Sequence, residues 1–207
     1  MKLKEKFRYI FYVVCHPFDG FYEVRHRQKG SVFLAILLIL WFGFSFSFNR
    51  RYASFVVNNV NPRAVDCRME MLAILAAVIL FATANWSITC LMEGEGRFKD
   101  IVTVVGYAML PMGLAFLPAT FISQFIASNE EGFYYVLLGI SIIWFLLLVL
   151  IGIMTVHNFE FGKTILTIIL TFVAMLFIIF IILLLVTLIQ QVIEFFKGIY
   201  TELIMRV

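Results

Sequence analysis

Glu93, Glu95 and Asp100 bring three carboxylates into one short stretch, Glu93-Gly94-Glu95-Gly96-Arg97-Phe98-Lys99-Asp100. Carboxylates this close suit general acid–base work or a bound cation, because neighbouring negative charges raise each other's affinity for a proton or a metal. The competing reading is structural. Gly94 and Gly96 suit a tight connection between two antiparallel elements, and Arg97 and Lys99 neutralise the acids. If either glycine takes a positive φ, a β-branched residue is strongly disfavoured there.

The remaining reactive residue types are scattered. His16, His26 and His157 stand far apart in sequence, and Cys15, Cys67 and Cys90 form no Cys-x-x-Cys pair. Nothing in the chain matches Ser-His-Asp, His-Glu-x-x-His or a phosphate-binding glycine loop. No catalytic residue, cofactor-binding residue or metal ligand is therefore assigned, and the expectation is a protein that is not an enzyme. No nucleic-acid partner is expected either.

The elements that position these residues are apolar. The sequence is 63% hydrophobic and only 14% charged, with a mean hydropathy of +1.00, whereas about 25% charged residues is usual for a soluble domain. Five apolar stretches, at about 31–49, 70–92, 101–127, 132–155 and 164–189, are each long enough for a helix to cross a bilayer core of ~30 Å. The predicted fold is all-α: a polytopic membrane protein of five transmembrane helices with an amphipathic N-terminal segment over residues 1–30. A five-span domain follows over 31–189, then an amphipathic tail over 190–207. The first apolar run acts as an uncleaved anchor, because no short apolar core with a small-residue cleavage site precedes it.

In the N-terminal segment Leu3, Phe7, Ile10, Phe11 and Val14 share a helix face, with Lys2, Lys4, Lys6 and Arg8 on the polar side. That pattern predicts a helix lying among headgroups, favoured on anionic lipid by ~1 kcal/mol per basic residue. In the tail, Val192, Phe195, Phe196, Ile199 and Leu203 alternate with Gln190, Glu194, Lys197 and Thr201. The tail either continues the fifth span or bends onto the membrane. The 50–69 connection carries a turn cluster at Asn58-Asn59-Val60-Asn61-Pro62.

Within the spans the polar groups are mild. Asn85 and Thr89 are one turn apart on the second span and can bond a neighbouring helix. Ala73, Ala77 and Ala84 form a stripe of small residues that permits close helix approach. Pro111 and Pro118 fall on one face of the third span and predict a kink or break, because each lacks a backbone donor and clashes one turn back.

A family pattern emerges from several of these residues together. Trp86, Gly94-x-Gly96-x-Phe98-Lys99-Asp100, Gly106-Tyr107 and Pro111 resemble the Yip-type membrane domain, a family of five-span proteins first defined as interactors of Ypt/Rab GTPases. Pro17-Phe18-Asp19-Gly20-Phe21-Tyr22-Glu23 is similar to its bacterial branch. The resemblance covers about residues 15–190. It implies a five-helix domain with the N-terminus cytoplasmic and the C-terminus across the membrane, acting in eukaryotes as a receptor or adaptor in vesicle traffic. The chain departs from those relatives in lacking the Asp-Leu-Tyr-Gly-Pro signature and a long cytoplasmic N-terminal region, which counts against Rab-type GTPase binding.

The expected function is that of an accessory subunit binding other integral membrane proteins, such as the permease subunits of an ATP-driven solute importer in a bacterial inner membrane. The alternative is a small channel or facilitator with a cavity at the proline-broken third span. Candidate contact or structural residues are Ala73, Ala77, Ala84, Asn85, Trp86, Gly94, Gly96, Phe98, Gly106, Tyr107, Pro111 and Pro118.

Basic residues in short loops set orientation. With the N-terminus inside, ten of the sixteen Lys and Arg residues fall on the inner side. The expected topology in the plasma membrane is N-in and C-out. A membrane-impermeant thiol reagent applied to sealed cells is therefore expected to modify Cys67 and spare Cys15. Modification of Cys15 would reverse the orientation.

Overall fold

Each apolar stretch is one helix or a pair of helices, and most extend beyond the apolar run into its polar flanks. The computed structural model describes residues 3–58, 60–127 and 129–205. Lys2, Asn59 and Arg206, and the side chains of Leu3, Lys4 and Leu203, lie outside the described residues. In chain order the helices are α1 (Leu3–Cys15), α2 (Pro17–His26), α3 (Val32–Tyr52), α4 (Cys67–Leu91), α5 (Phe98–Ala108), α6 (Leu110–Ser123), α7 (Glu131–His157) and α8 (Phe161–Met205). A single 3-10 turn, Pro62–Ala64, lies in the long connection. The described residues include no strand. Five units, α3, α4, α5 with α6, α7 and α8, are long and apolar enough to cross a membrane, so the chain is an all-α, multi-pass membrane protein.

Hydropathy places the span ends short because it does not register caps. Helix α4 starts at Cys67, where the Asp66 carboxylate accepts the Arg68 N–H at 3.0 Å, satisfying a donor that has no partner inside the helix. Helix α5 starts at Phe98, which makes Asp100 a helical residue. The tail does not bend away: α8 is one continuous helix of 45 residues.

The third span breaks at Met109, between α5 and α6. Pro111 is the cause, since it has no N–H to offer the Tyr107 carbonyl one turn back. Pro118 lies inside α6 without breaking it, on an exposed face. The joint is packed rather than open: Met109 sits with Ile39, Phe42, Val78, Val105 and Phe116 in one apolar cluster.

The N-terminal hairpin departs from the expected headgroup helix. Tyr9, Ile10 and Val13 are buried with Phe21 and Val24 of α2 against Leu34, Val104 and Ile153 of the spans. Phe7 and Phe11 stay exposed. Helix α1 thus has two apolar faces, one closing the proximal end of the bundle and one free. The hairpin is tight because Gly20 leaves its Cβ space to Val13 and its carbonyl accepts the Tyr9 hydroxyl at 2.6 Å. Burial pushes the Tyr9 phenol above its ordinary pKa, so the hydroxyl stays a donor.

At the distal end the buried polar groups satisfy one another. Asn49 donates from Nδ2 to Thr120 Oγ1 and accepts from the Tyr134 hydroxyl, both at 2.9 Å, tying α3, α6 and α7. Arg50 pairs with Glu70 at 2.7 Å, and Ser47 donates to the other Glu70 oxygen. Such closure is demanded in a bilayer, where water cannot stand in for a missing partner.

Gly106 lets α5 approach the backbone of α3 closely. A Cβ there would lie 2.6 Å from Ala35 Cβ and 2.7 Å from the Ala35 backbone. Because the obstacle includes backbone, Gly106→Val is expected to destabilise the bundle by roughly 1–3 kcal/mol, measured as a lower thermal unfolding midpoint in detergent. An unchanged midpoint would mean that α3 and α5 do not pack as described.

Candidate functional site

Two turns of the same chemistry meet at the proximal end. Helix α4 ends with Glu93 at φ 58° and a 2.7 Å bond from the Gly94 N–H to the Thr89 carbonyl. Helix α7 ends with Asn158 at φ 55° and a 3.0 Å bond from the Phe159 N–H to the Met154 carbonyl. Both are six-to-one closures around a left-handed residue, the usual way to satisfy the last carbonyls of a helix.

Between the two turns lies His157, only 1% exposed. Its Nδ1 accepts the Gly96 N–H at 3.1 Å. A Cβ on Gly96 would come within 2.5 Å of the imidazole Cε1, and one on Gly94 within 2.6 Å of Nδ1. This explains the Gly-x-Gly spacing differently from a sharp turn. Neither glycine has positive φ; the left-handed position is Glu93. The glycines are there to make room for a ring. Phe159 stacks on that ring with centroids 5.4 Å apart, and the Lys163 ammonium lies 4.3 Å from the Phe159 centroid.

The carboxylates of this stretch do not form one site. Glu93 and Glu95 are exposed, while Asp100 is 4% exposed. Asp100 accepts from Arg97 Nε at 2.8 Å and from the Arg97 N–H at 3.3 Å, and Arg25 of α2 lies 3.5 Å away. A buried carboxylate needs such partners, and losing one leaves an uncompensated charge. Asp100 therefore ties α2 to the start of α5. In α2 itself, hydrogen bonding from Lys29 holds the Glu23 carboxyl below the usual carboxylate range. Among the described residues no group of three or more His, Cys, Asp or Glu is placed to hold a metal ion.

The residues singled out from sequence fall into two sets. Gly94, Gly96, Ala84, Asn85, Gly106 and Tyr107 serve packing within the chain. Tyr107 is wholly buried, its hydroxyl accepting the Ser31 N–H at 3.0 Å. Asn85 reaches α8, donating from Nδ2 to Thr171 Oγ1 at 3.0 Å. It belongs to a polar seam between α4 and α8 that also holds Thr89, Thr164 and Thr167, with Thr167 donating to Met92 Sδ at 3.3 Å. Of the two roles open to Gly106 and Tyr107, contact or structure, this burial favours the structural one. Trp86 and Phe98 stay exposed and meet edge to face at 6.4 Å, as aromatics at a membrane–water boundary do.

The alanine stripe divides. Ala84 is buried, whereas Ala73 and Ala77 are exposed. Ala77 lines a groove of about 460 Å³ between α4, α7 and α8, whose walls are Ile74, Phe81, Met109, Phe145, Val149 and Phe172. Helix α8 packs mainly on α4 and less on α7, and the groove lies between α7 and α8. Pro111 and Pro118 are not among its lining residues, though Met109 at the break is. His157 and Phe145 are the residues that sequence reasoning passed over. A lone histidine carries no signal of its own; two glycines spaced for a ring offer the only hint.

The Yip1 domain model matches residues 11–198 of the chain. No curated protein and no solved structure matches it.

The ring-and-glycine contact can be measured as a coupling. Gly96→Ala is expected to destabilise the protein strongly in the native background and much less when His157 is already Ala. The coupling should fall within about 0.5–3 kcal/mol, as for residues in direct contact, read from a double-mutant cycle of thermal unfolding. Additive effects would place the imidazole elsewhere.

Proposed function

The chain belongs to the Yip1 domain family, and from that membership and the open groove we propose that it is a non-enzymatic accessory subunit binding another integral membrane protein. The observation that carries this reading is the groove at Ala77. It lies along the apolar length of the spans, is floored by a small side chain and is walled almost entirely by apolar atoms. In lipid, helices associate by close packing against small residues, since the hydrophobic effect gives no drive there. A groove of this shape receives a transmembrane helix of a partner.

A permease subunit of an ATP-driven solute importer is the most concrete partner of that kind. The Pro17–Glu23 segment favours the bacterial branch of the family and with it an inner membrane, and the basic loop residues favour N-in and C-out topology. The free Phe7 and Phe11 face of α1, with Arg8 beside it, fits an anionic leaflet.

The facilitator reading is weaker. The groove does reach the broken third span at Met109, but a polar solute crossing there would meet hydrocarbon. Buried polar groups sit at the two ends of the bundle and in the α4–α8 seam, separated by the apolar clusters around Val104 and Val78.

Ala77→Leu adds bulk to the groove from an exposed position and displaces no buried side chain of α4. The expected result is normal yield and thermal stability of the purified chain with at least about tenfold less partner recovered in mild detergent, the equivalent of 1.4 kcal/mol. Full function of the chain alone in reconstituted vesicles, with measurable solute flux, would instead favour the facilitator.

A further inference from the structure

Helix α8 is longer than any bilayer requires. Its 45 residues span about 67 Å at 1.5 Å per residue, against a hydrocarbon core of ~30 Å. Tilts reach only about 40°, which accommodates the uncharged apolar run 164–189 and little more. Its last buried residue is Thr171, and from Ile179 to Met205 every described side chain is exposed. The final part of α8 therefore stands outside the bilayer as a helix with no packing partner among the described residues.

That part cannot fold down onto the membrane surface. Between Gly162 and Gly198 there is neither glycine nor proline, and the helix is unbroken throughout. Sharp kinks need one of those residues or an inserted group. The charge is also wrong for a surface helix, which carries Lys and Arg on its polar face. Beyond residue 189 the helix has Lys197 against Glu194 and Glu202.

The sequence of this part has a heptad register. Ile189, Val192, Phe196 and Ile199 recur at intervals of three and four, and the spacing continues to Leu203 in the sequence. With Ile189 and Phe196 at position a, Gln190, Gln191, Glu194, Lys197, Gly198 and Thr201 fall on b, c and f, and Glu202 falls on g. Alternating three–four spacing of apolar residues is the pattern that seats one helix in the holes of another.

We propose that the extramembrane part of α8 is a self-association element that binds the same part of a second copy of this chain as a parallel coiled coil. The parallel sense follows from topology, because both copies emerge from the same face of the membrane. It follows too that equivalent residues meet across the interface. This surface is distinct from the Ala77 groove and does not depend on it.

Equivalent contact makes the test direct. In full-length chain with Cys15→Ser, Cys67→Ser and Cys90→Ser, reconstituted into vesicles of neutral lipid, one cysteine is introduced at Ile199, at Val192 or at Thr201. Mild oxidation should convert Ile199→Cys and Val192→Cys to a disulfide-linked dimer roughly tenfold faster than Thr201→Cys, which lies on the outer f position. Equal rates at all three sites would mean random collision and overturn the proposal. No dimer from either Ile199→Cys or Val192→Cys would overturn it as well, and is what a tail covered by lipid or by another protein would give.

Discussion

The seating of one imidazole on two glycines holds the proximal end of this protein together. His157 closes α7, and Gly94 and Gly96 connect α4 to α5. With any larger residue at either glycine, the ring could not enter, since a Cβ would fall within 2.6 Å of it. The contact fixes the end of the fourth span against the turn between the second and third. Asp100 then fastens α2 to the same point through Arg25 and Arg97, and α1 closes over the outside. Polar bonds and close backbone approaches thus fix the pieces whose apolar faces α1 and α2 bury, as expected where lipid competes for every apolar surface.

The distal end obeys the same constraint with other residues. Asn49, Thr120 and Tyr134 join three helices, and Glu70 holds Arg50 and Ser47. What remains is α8, bound only along its first turns by Asn85 and the threonine seam. Interhelical hydrogen bonds in bilayers contribute about 0.6 kcal/mol on average, so such a seam positions α8 without clamping it. The groove at Ala77 lies between this helix and α7.

The five spans were legible because hydropathy over some twenty residues is a strong signal, and the break in the third span because Pro111 removes a specific donor. The ends of the helices were not, since caps such as Asp66 lie outside the apolar run. The Gly94 and Gly96 pair was visible, but its purpose was assigned to backbone freedom; the residue needing the space, His157, lies sixty-one positions beyond Gly96. The amphipathic face of α1 was displaced by one residue type: Tyr9 turns inward because its hydroxyl finds the Gly20 carbonyl, and periodicity does not register that bond. Spacing places the three alanines in line, yet Ala84 is buried and Ala73 and Ala77 are exposed. Which of them face a neighbour depends on where α8 diverges, and that is decided by tertiary contacts alone.

We propose that the groove beside Ala77 receives a helix of another membrane protein. A photoreactive phenylalanine analogue at Phe172, on the groove wall, tests it in living cells, with the same analogue at Leu114 on the exposed face of α6 as the control. The account predicts a discrete crosslink from position 172 to one integral membrane protein, lost in the Ala77→Leu background, and only lipid adducts from position 114. Lipid adducts alone from both positions would contradict it.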